Sequence, residues 1–420
     1  MTGSWVSLPW GDRLWLARLP GGPRLAILPR VERSETVWQW TVPLPGRLDG
    51  VKAGSSLIPV PPGAPHLLEH LLFEKDEGDI SVEFALLGLE ANAYTTEDYT
   101  TYVAAGSASP RDVLPLLLAL VHEAIFTEED VERERLIIQR ELALSRDDPG
   151  YWRERSLREA LFYTPSRKED LLGSPESLKK IDSQFLRFLH RTFYHPSRGL
   201  LVAAGPLEPE EVAETVDHLS RAFSWHPQDG EAVLDPEPEG AAKEVLEGVI
   251  PAAYPWAALA WKVSQVDPEG ELLTLAALQT LLGRSSPWRE WAEAQGQVDD
   301  TLAYGWRGGR KAPYLVVEGE TEDPEGWLAA VQEGLRHPLQ KDEVHRTLKR
   351  LRGRFLRSLD HPGEAADLLT DLLFYGYPPG IVWDGLSRAT AEAVEASWRK
   401  AMEGPRVQVI LRPREGVAAS

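Results

Sequence analysis

The chain alternates between two periods of hydrophobic and polar residues. Within residues 25–42, Trp38, Trp40 and Val42 share one side and Gln39 and Thr41 the other, which predicts a half-buried strand. A Pro61-Pro62-Gly63 loop then leads into an apolar run through Leu71, Leu72 and Phe73 with helical spacing. Residues 91–95 and 99–104 are rich in Tyr, Thr and Val around Thr96-Glu97-Asp98, and read as paired strands. Residues 113–126 and 128–144 read as helices, as does 184–193. Leu200-Leu201-Val202-Ala203-Ala204-Gly205 reads as a buried strand ending at a glycine. Mixed strands and helices of this kind predict an α+β fold.

Between Gln228 and Lys243 the composition turns to Asp, Glu, Pro, Gly and Ala, with Asp235-Pro236-Glu237-Pro238-Glu239-Gly240 poor in core-forming residues. That marks 228–243 as a linker between an amino-terminal domain, 1–227, and a carboxy-terminal one, 244–420. Glu128-Glu129-Asp130-Val131 through Pro149-Gly150 is echoed by Lys341-Asp342-Glu343-Val344 through Pro362-Gly363, at a constant offset of 213 residues. Leu161-Phe162-Tyr163 is echoed by Leu373-Phe374-Tyr375. The expected architecture is therefore two duplicated domains, each a mostly antiparallel sheet covered by helices.

At 420 residues the chain exceeds what one core usually serves, and 43% hydrophobic residues can fill two. A formal net charge of -20, from 65 acidic and 45 basic residues, disfavours nucleic acid and anionic membranes as partners. With no cysteine, thiolate metal sites are excluded, leaving His, Asp and Glu as strong ligands. No stretch of about 18 apolar residues suggests a membrane span, and the amino terminus lacks a leader pattern, so a cytoplasmic location is expected.

The chemistry gathers at His66-Leu67-Leu68-Glu69-His70. Residues four apart return to one helical face, so His66 and His70 can aim at a common point with Glu69 beside them, half of a zinc site in inverted His-x-x-Glu-His order. Two such histidines alone also suit a surface or capping role, so a third ligand is required. The stretch Glu132-Arg133-Glu134-Arg135 through Glu141 places Glu134 and Glu141 two helical turns apart, and a carboxylate from this face could close the site; a solvated charged face is the competing reading.

Taken together, His66-x-x-Glu69-His70, Asn92-Ala93-Tyr94-Thr95, the Glu132–Glu141 helix and Gly173-Ser174-Pro175 through Gly205 resemble the pitrilysin and mitochondrial processing peptidase family. The resemblance implies a half-shell of a clamshell-like zinc endopeptidase. By motif position it makes His66, His70 and Glu141 the ligands of one zinc ion, Glu69 the general base and Glu134 an acid supporting the site; the interval from His70 is a few residues shorter than in such relatives, so their spacing alone would nominate Asp147, but loop lengths vary and the helix motif favours Glu141. It implies a peptide substrate laid along Asn92 and Ala93. It also implies an arginine and a tyrosine acting from a carboxy-terminal domain. Tyr304 matches the tyrosine, whereas Gln297 stands where the arginine is expected, and Arg289 could replace it only if the loop is rearranged. Under the duplication the counterparts of His66, Glu69 and His70 are Leu275, Leu278 and Gln279, so the second half carries no metal chemistry. The expected partner is a homologous, metal-free subunit supplying the Arg/Tyr pair, with a homodimer as the variant. A non-catalytic peptide-binding scaffold of the same fold is the alternative.

Overall fold

The computed structural model describes residues 3–222 and 229–414; His226, to which the sequence assigns no role, and Gln228 lie outside them. The chain forms two compact units. The first comprises Met1–Glu141, Asp170–Asp235 and Leu356–Gly380, the second Leu142–Glu169, Pro236–Phe355 and Ile381–Ser420. Neither is a continuous segment such as 1–227 or 244–420, although one crossing falls at Asp235 and Pro236, inside the acidic stretch.

The first unit is built on a seven-stranded sheet. Its strands run in the order Ser4–Ser7, Arg13–Arg18, Arg24–Pro29, Leu200–Gly205, Thr36–Val42, Thr100–Gly106, Leu89–Thr95. Only Arg24–Pro29 and Leu200–Gly205 pair in parallel. Trp38, Trp40, Val42 and Tyr102 enter a core with Leu67, Leu68 and Leu71 of the helix Ala64–Leu71, Leu114 and Leu117 of Pro110–His122, and Leu186 and Leu189 of Ser183–Phe193. The helix at 110–122 ends at His122, short of the expected Phe126, where Glu123 turns to extended backbone.

The expectation that Thr36–Val42 is half-buried is corrected. Gln39 and Thr41, the polar side of the alternation, are only 2% and 1% exposed. The helix Pro362–Phe374 covers this second face. Burying polar side chains is tolerated because each is bonded: Gln39 donates to Asp367 (2.6 Å) and accepts from Thr370 (2.6 Å), while the Thr41 and Thr101 hydroxyls share a bond of 2.8 Å.

In the second unit five strands run in the order Val245–Ile250, Arg406–Pro413, Trp256–Lys262, Tyr314–Glu320, Ala303–Arg307, again with one parallel pair at the start. This repeats the last five strands of the first sheet pair by pair, as duplication requires. One face packs Leu259, Trp261 and Val317 against Pro268–Leu282, Pro324–Gly334 and Ala391–Met402. The other packs Trp256, Tyr314 and Val409 against Leu157, Ala160 and Leu161 of the helix Pro149–Leu161. The exchange is reciprocal: the helix following the first half's long helix covers the second sheet, and its 213-residue echo covers the first. No described helix is long and apolar enough to cross a membrane.

Candidate metal centre

The helix Ala64–Leu71 starts at Gly63, whose φ of 90° only glycine adopts without strain, with Pro65 in the first turn. A Cβ at Gly63 would stand 2.6 Å from the Leu172 carbonyl oxygen, and Ser177 donates to the Pro62 carbonyl (2.8 Å). The Gly173-Ser174-Pro175 turn thus braces the start of the helix. Leu67, Leu68 and Leu71 fix the rest of it in the core, which leaves His66 and His70 on the opposite face with ring centroids 4.5 Å apart.

The long helix Glu128–Asp147 supplies the carboxylates. Among the described residues, His66, His70 and Glu141 form the group whose ligand atoms could hold one cation, all lying within 4.8 Å of one another; Asp147 is outside it. His70 stands between two acids. Its Nδ1 lies 3.3 Å from Glu134 Oε2, and its Nε2 3.8 Å from Glu141 Oε2. Glu134 is 5% exposed, whereas Glu132 points to solvent and pairs with Arg135.

The electrostatics follow from burial. Burial, helped by His70, holds the His66 imidazole down at about 3, hence neutral as a metal ligand must be. For His70, burial is outweighed by the bond to Glu134 and by the Glu69 and Glu141 carboxylates, so its pKa rises. Burial pushes Glu69 up to about 7, against the opposing effects of the Thr95 hydroxyl and His70. Thr95 Oγ donates to Glu69 Oε2 at 2.5 Å. The sequence singled out Thr95 only as the last residue of Asn92-Ala93-Tyr94-Thr95; its side chain points to the same side of the strand as Ala93, towards Glu69.

These residues fit a divalent cation. The donors are two imidazoles and a carboxylate, and the buried Nδ1 of His66 has no hydrogen-bond partner. Ligands at about 2.1 Å in a tetrahedral site stand about 3.4 Å apart, close to the His70–Glu141 separation. Three protein ligands leave a coordination position open.

Asn92 and Ala93 lie on Leu89–Thr95, the end strand of the first sheet, paired on one side only, with Thr100–Gly106. The Asn92 side chain is exposed and its Oδ1 accepts from the Ala93 amide (2.8 Å). Tyr304 lies on the corresponding end strand of the second unit. Arg289 is 2% exposed and bonded to Glu293 (2.5 Å) and to the carbonyls of Asp299 (2.5 Å) and Leu302 (3.3 Å). It holds its own loop and is not free to replace an arginine at Gln297. His190 bonds the Val121 carbonyl (3.0 Å) and His122 packs edge-on against Trp40, so both serve packing, while His195 bonds Ser197 (2.7 Å).

Residues 51–173 match the insulinase family, peptidase family M16. A Bacillus subtilis (strain 168) protein named uncharacterized zinc protease YmfH is 26% identical over 399 residues, which is 91% of this chain and 92% of that protein. The Arabidopsis thaliana protein named probable mitochondrial-processing peptidase subunit beta is 29% identical over 53% of this chain, and the match spans only 43% of that relative. A crystal structure of an M16-like peptidase from Alicyclobacillus acidocaldarius superposes with a TM-score of 0.91 at 25% identity, over 97% of this chain and 100% of that one. The fold, the matched segment and the His66–His70–Glu141 cluster agree: residues 51–173 carry an M16 peptidase domain, within an M16-like fold.

Proposed function

We propose that the protein is a zinc-dependent endopeptidase subunit. The observation that carries this reading is the meeting of His66, His70 and Glu141 from two helices, with Glu69 buried beside them. His66, His70 and Glu141 hold the ion, and Glu134 accepts from His70 Nδ1, fixing the ring so that Nε2 faces the site. Bound zinc supplies Lewis acidity that makes water a nucleophile near neutral pH. Glu69 takes the proton of the attacking water and returns it to the leaving amine as the C–N bond breaks, with Thr95 holding its carboxyl in place. The peptide adds as a strand along the unpaired edge of Leu89–Thr95, where backbone groups bind it and Asn92 reads the adjoining side chain.

The arginine half of the expected Arg/Tyr pair is not supplied by Gln297, and Arg289 is occupied. In this reading the missing donor to the developing oxyanion comes from a homologous, metal-free subunit, or from a second copy in a homodimer, the assembled shells enclosing the substrate. One such donor is worth about two to three orders of magnitude in rate.

The test pairs zinc analysis with hydrolysis of quenched fluorescent peptides by wild type and Glu69→Gln, each with and without a candidate partner. We expect stoichiometric zinc in both proteins and cleavage in wild type only. Cleavage by Glu69→Gln at the wild-type rate would remove its role, and wild type that binds peptide without ever cutting it would favour the scaffold reading.

A further inference from the structure

The second unit keeps the framework of the first but reverses its charge. At the 213-residue offset, the helix Lys341–Ser358 corresponds to Glu128–Asp147, so Thr347 replaces Glu134 and Arg354 replaces Glu141; the counterpart of His70 expected from the sequence, Gln279, lies at the shorter offset of 209. A cavity of about 450 Å³ opens there, lined by Gln279, Ser285, Glu343, Arg346, Lys349 and Arg350 among others. Three cations thus face one carboxylate.

This is an outlier in a chain of net charge -20. The helix carries seven basic residues, Lys341, Arg346, Lys349, Arg350, Arg352, Arg354 and Arg357, against Asp342 and Glu343. Arg346, Lys349 and Arg354 are exposed and make no ion pair among the described residues. Arg350 is held by hydroxyls, with Nη1 donating to Ser285 Oγ (2.6 Å) and Nη2 to Thr347 Oγ1 (3.2 Å), which positions the guanidinium without neutralising it. Like charges three and four residues apart work against a helix, and an anion bound among them relieves that repulsion.

We propose that this pocket binds a compact oxyanion, a carboxylate or a phosphate, with Arg350 as the oriented fork, Arg346 and Lys349 flanking it, and Ser285 and Gln279 as neutral donors. The site is separate from the metal cluster, and its occupancy does not depend on the peptidase reading. Two sources carry the chemistry: free phosphate and the terminal carboxylate of a peptide.

Calorimetric titration of the full chain in the Glu69→Gln background, where no peptide is consumed, tests it. The probes are inorganic phosphate, an acetylated peptide with a free carboxyl terminus, and the same peptide as its amide. We expect saturable one-site binding that weakens with added salt. It should fall about tenfold or more in Arg350→Gln and stay unchanged in Arg399→Gln, which lies on Ala391–Met402 and pairs with Glu395 of that same helix. Arg350→Lys, keeping the charge and losing the fork, gives an intermediate affinity and covers the case of a misfolded glutamine variant. A free-acid peptide binding better than its amide assigns the site to a peptide terminus; phosphate binding with acid and amide alike assigns it to the free ion. Absence of saturable binding by phosphate and of any acid-over-amide preference, or binding that both Arg350 variants leave intact, overturns the proposal.

Discussion

Replacing Glu134 by leucine isolates the group behind His70. The carboxylate is 7% exposed and sits 3.3 Å from Nδ1, so the contact is a charge-assisted bond in a largely dry place, worth about 1.5–3 kcal/mol. Groups orienting a metal-binding histidine typically carry about 10–100-fold in metal affinity, equivalent to about 1.4–2.8 kcal/mol. The two routes agree, and zinc affinity in Glu134→Leu should fall by about one to two orders of magnitude. The substitution strands no cation, because Arg133 keeps Glu74 and Asp130, each at 2.9 Å. Glu134→Gln retains an acceptor and loses only the charge, so its effect belongs at the lower end, about tenfold. Competition against a chromophoric chelator of known affinity gives the numbers, with a melting curve to confirm the fold. A leucine variant that binds zinc as tightly as wild type would mean that packing alone orients His70, and the reasoning would fail.

Removing zinc with a chelator should lower the melting temperature, since a ligand at a thousand times its Kd contributes about 4.1 kcal/mol to the native state; an unchanged melt would argue against a bound ion. Gln39→Leu leaves the Thr370 hydroxyl buried without its partner, while the exposed Asp367 carboxylate turns to water, and should cost about 1–3 kcal/mol in denaturant unfolding, a loss that a merely half-buried strand would not show. Gly63→Ala forces a Cβ towards the Leu172 carbonyl at a positive φ and should cost about 1–3 kcal/mol while loosening metal binding; wild-type stability would show that the helix start can move.

What could be read from the sequence was local. His66, Glu69 and His70 announce themselves because one helix turn sets their relation, and Glu134 and Glu141 share a face for the same reason. The linkage between the two helices is not local, and the choice of Glu141 over Asp147 needed the resemblance before the coordinates placed its carboxylate near His70. Period-two alternation separates large apolar from polar side chains but not solvent from a bonded polar interface. The face holding Gln39 and Thr41 therefore read as exposed, although a helix more than 300 residues further along the chain covers it. Arg289 shows the same limit: its type suggested a reactive cation, whereas its partners are carbonyls of a loop that no periodicity reveals.

The reciprocal placement of Pro149–Leu161 and Pro362–Phe374 bears on how the protein can be made. During synthesis the polar face of Thr36–Val42 must wait for residue 374 to leave the ribosome before its roof exists. A polypeptide severed between Asp235 and Pro236 would give two fragments, each bearing the other's roof. Such fragments should be insoluble apart and recover when mixed, so truncation at the acidic stretch is a poor route to an isolated half carrying His66, His70 and Glu141.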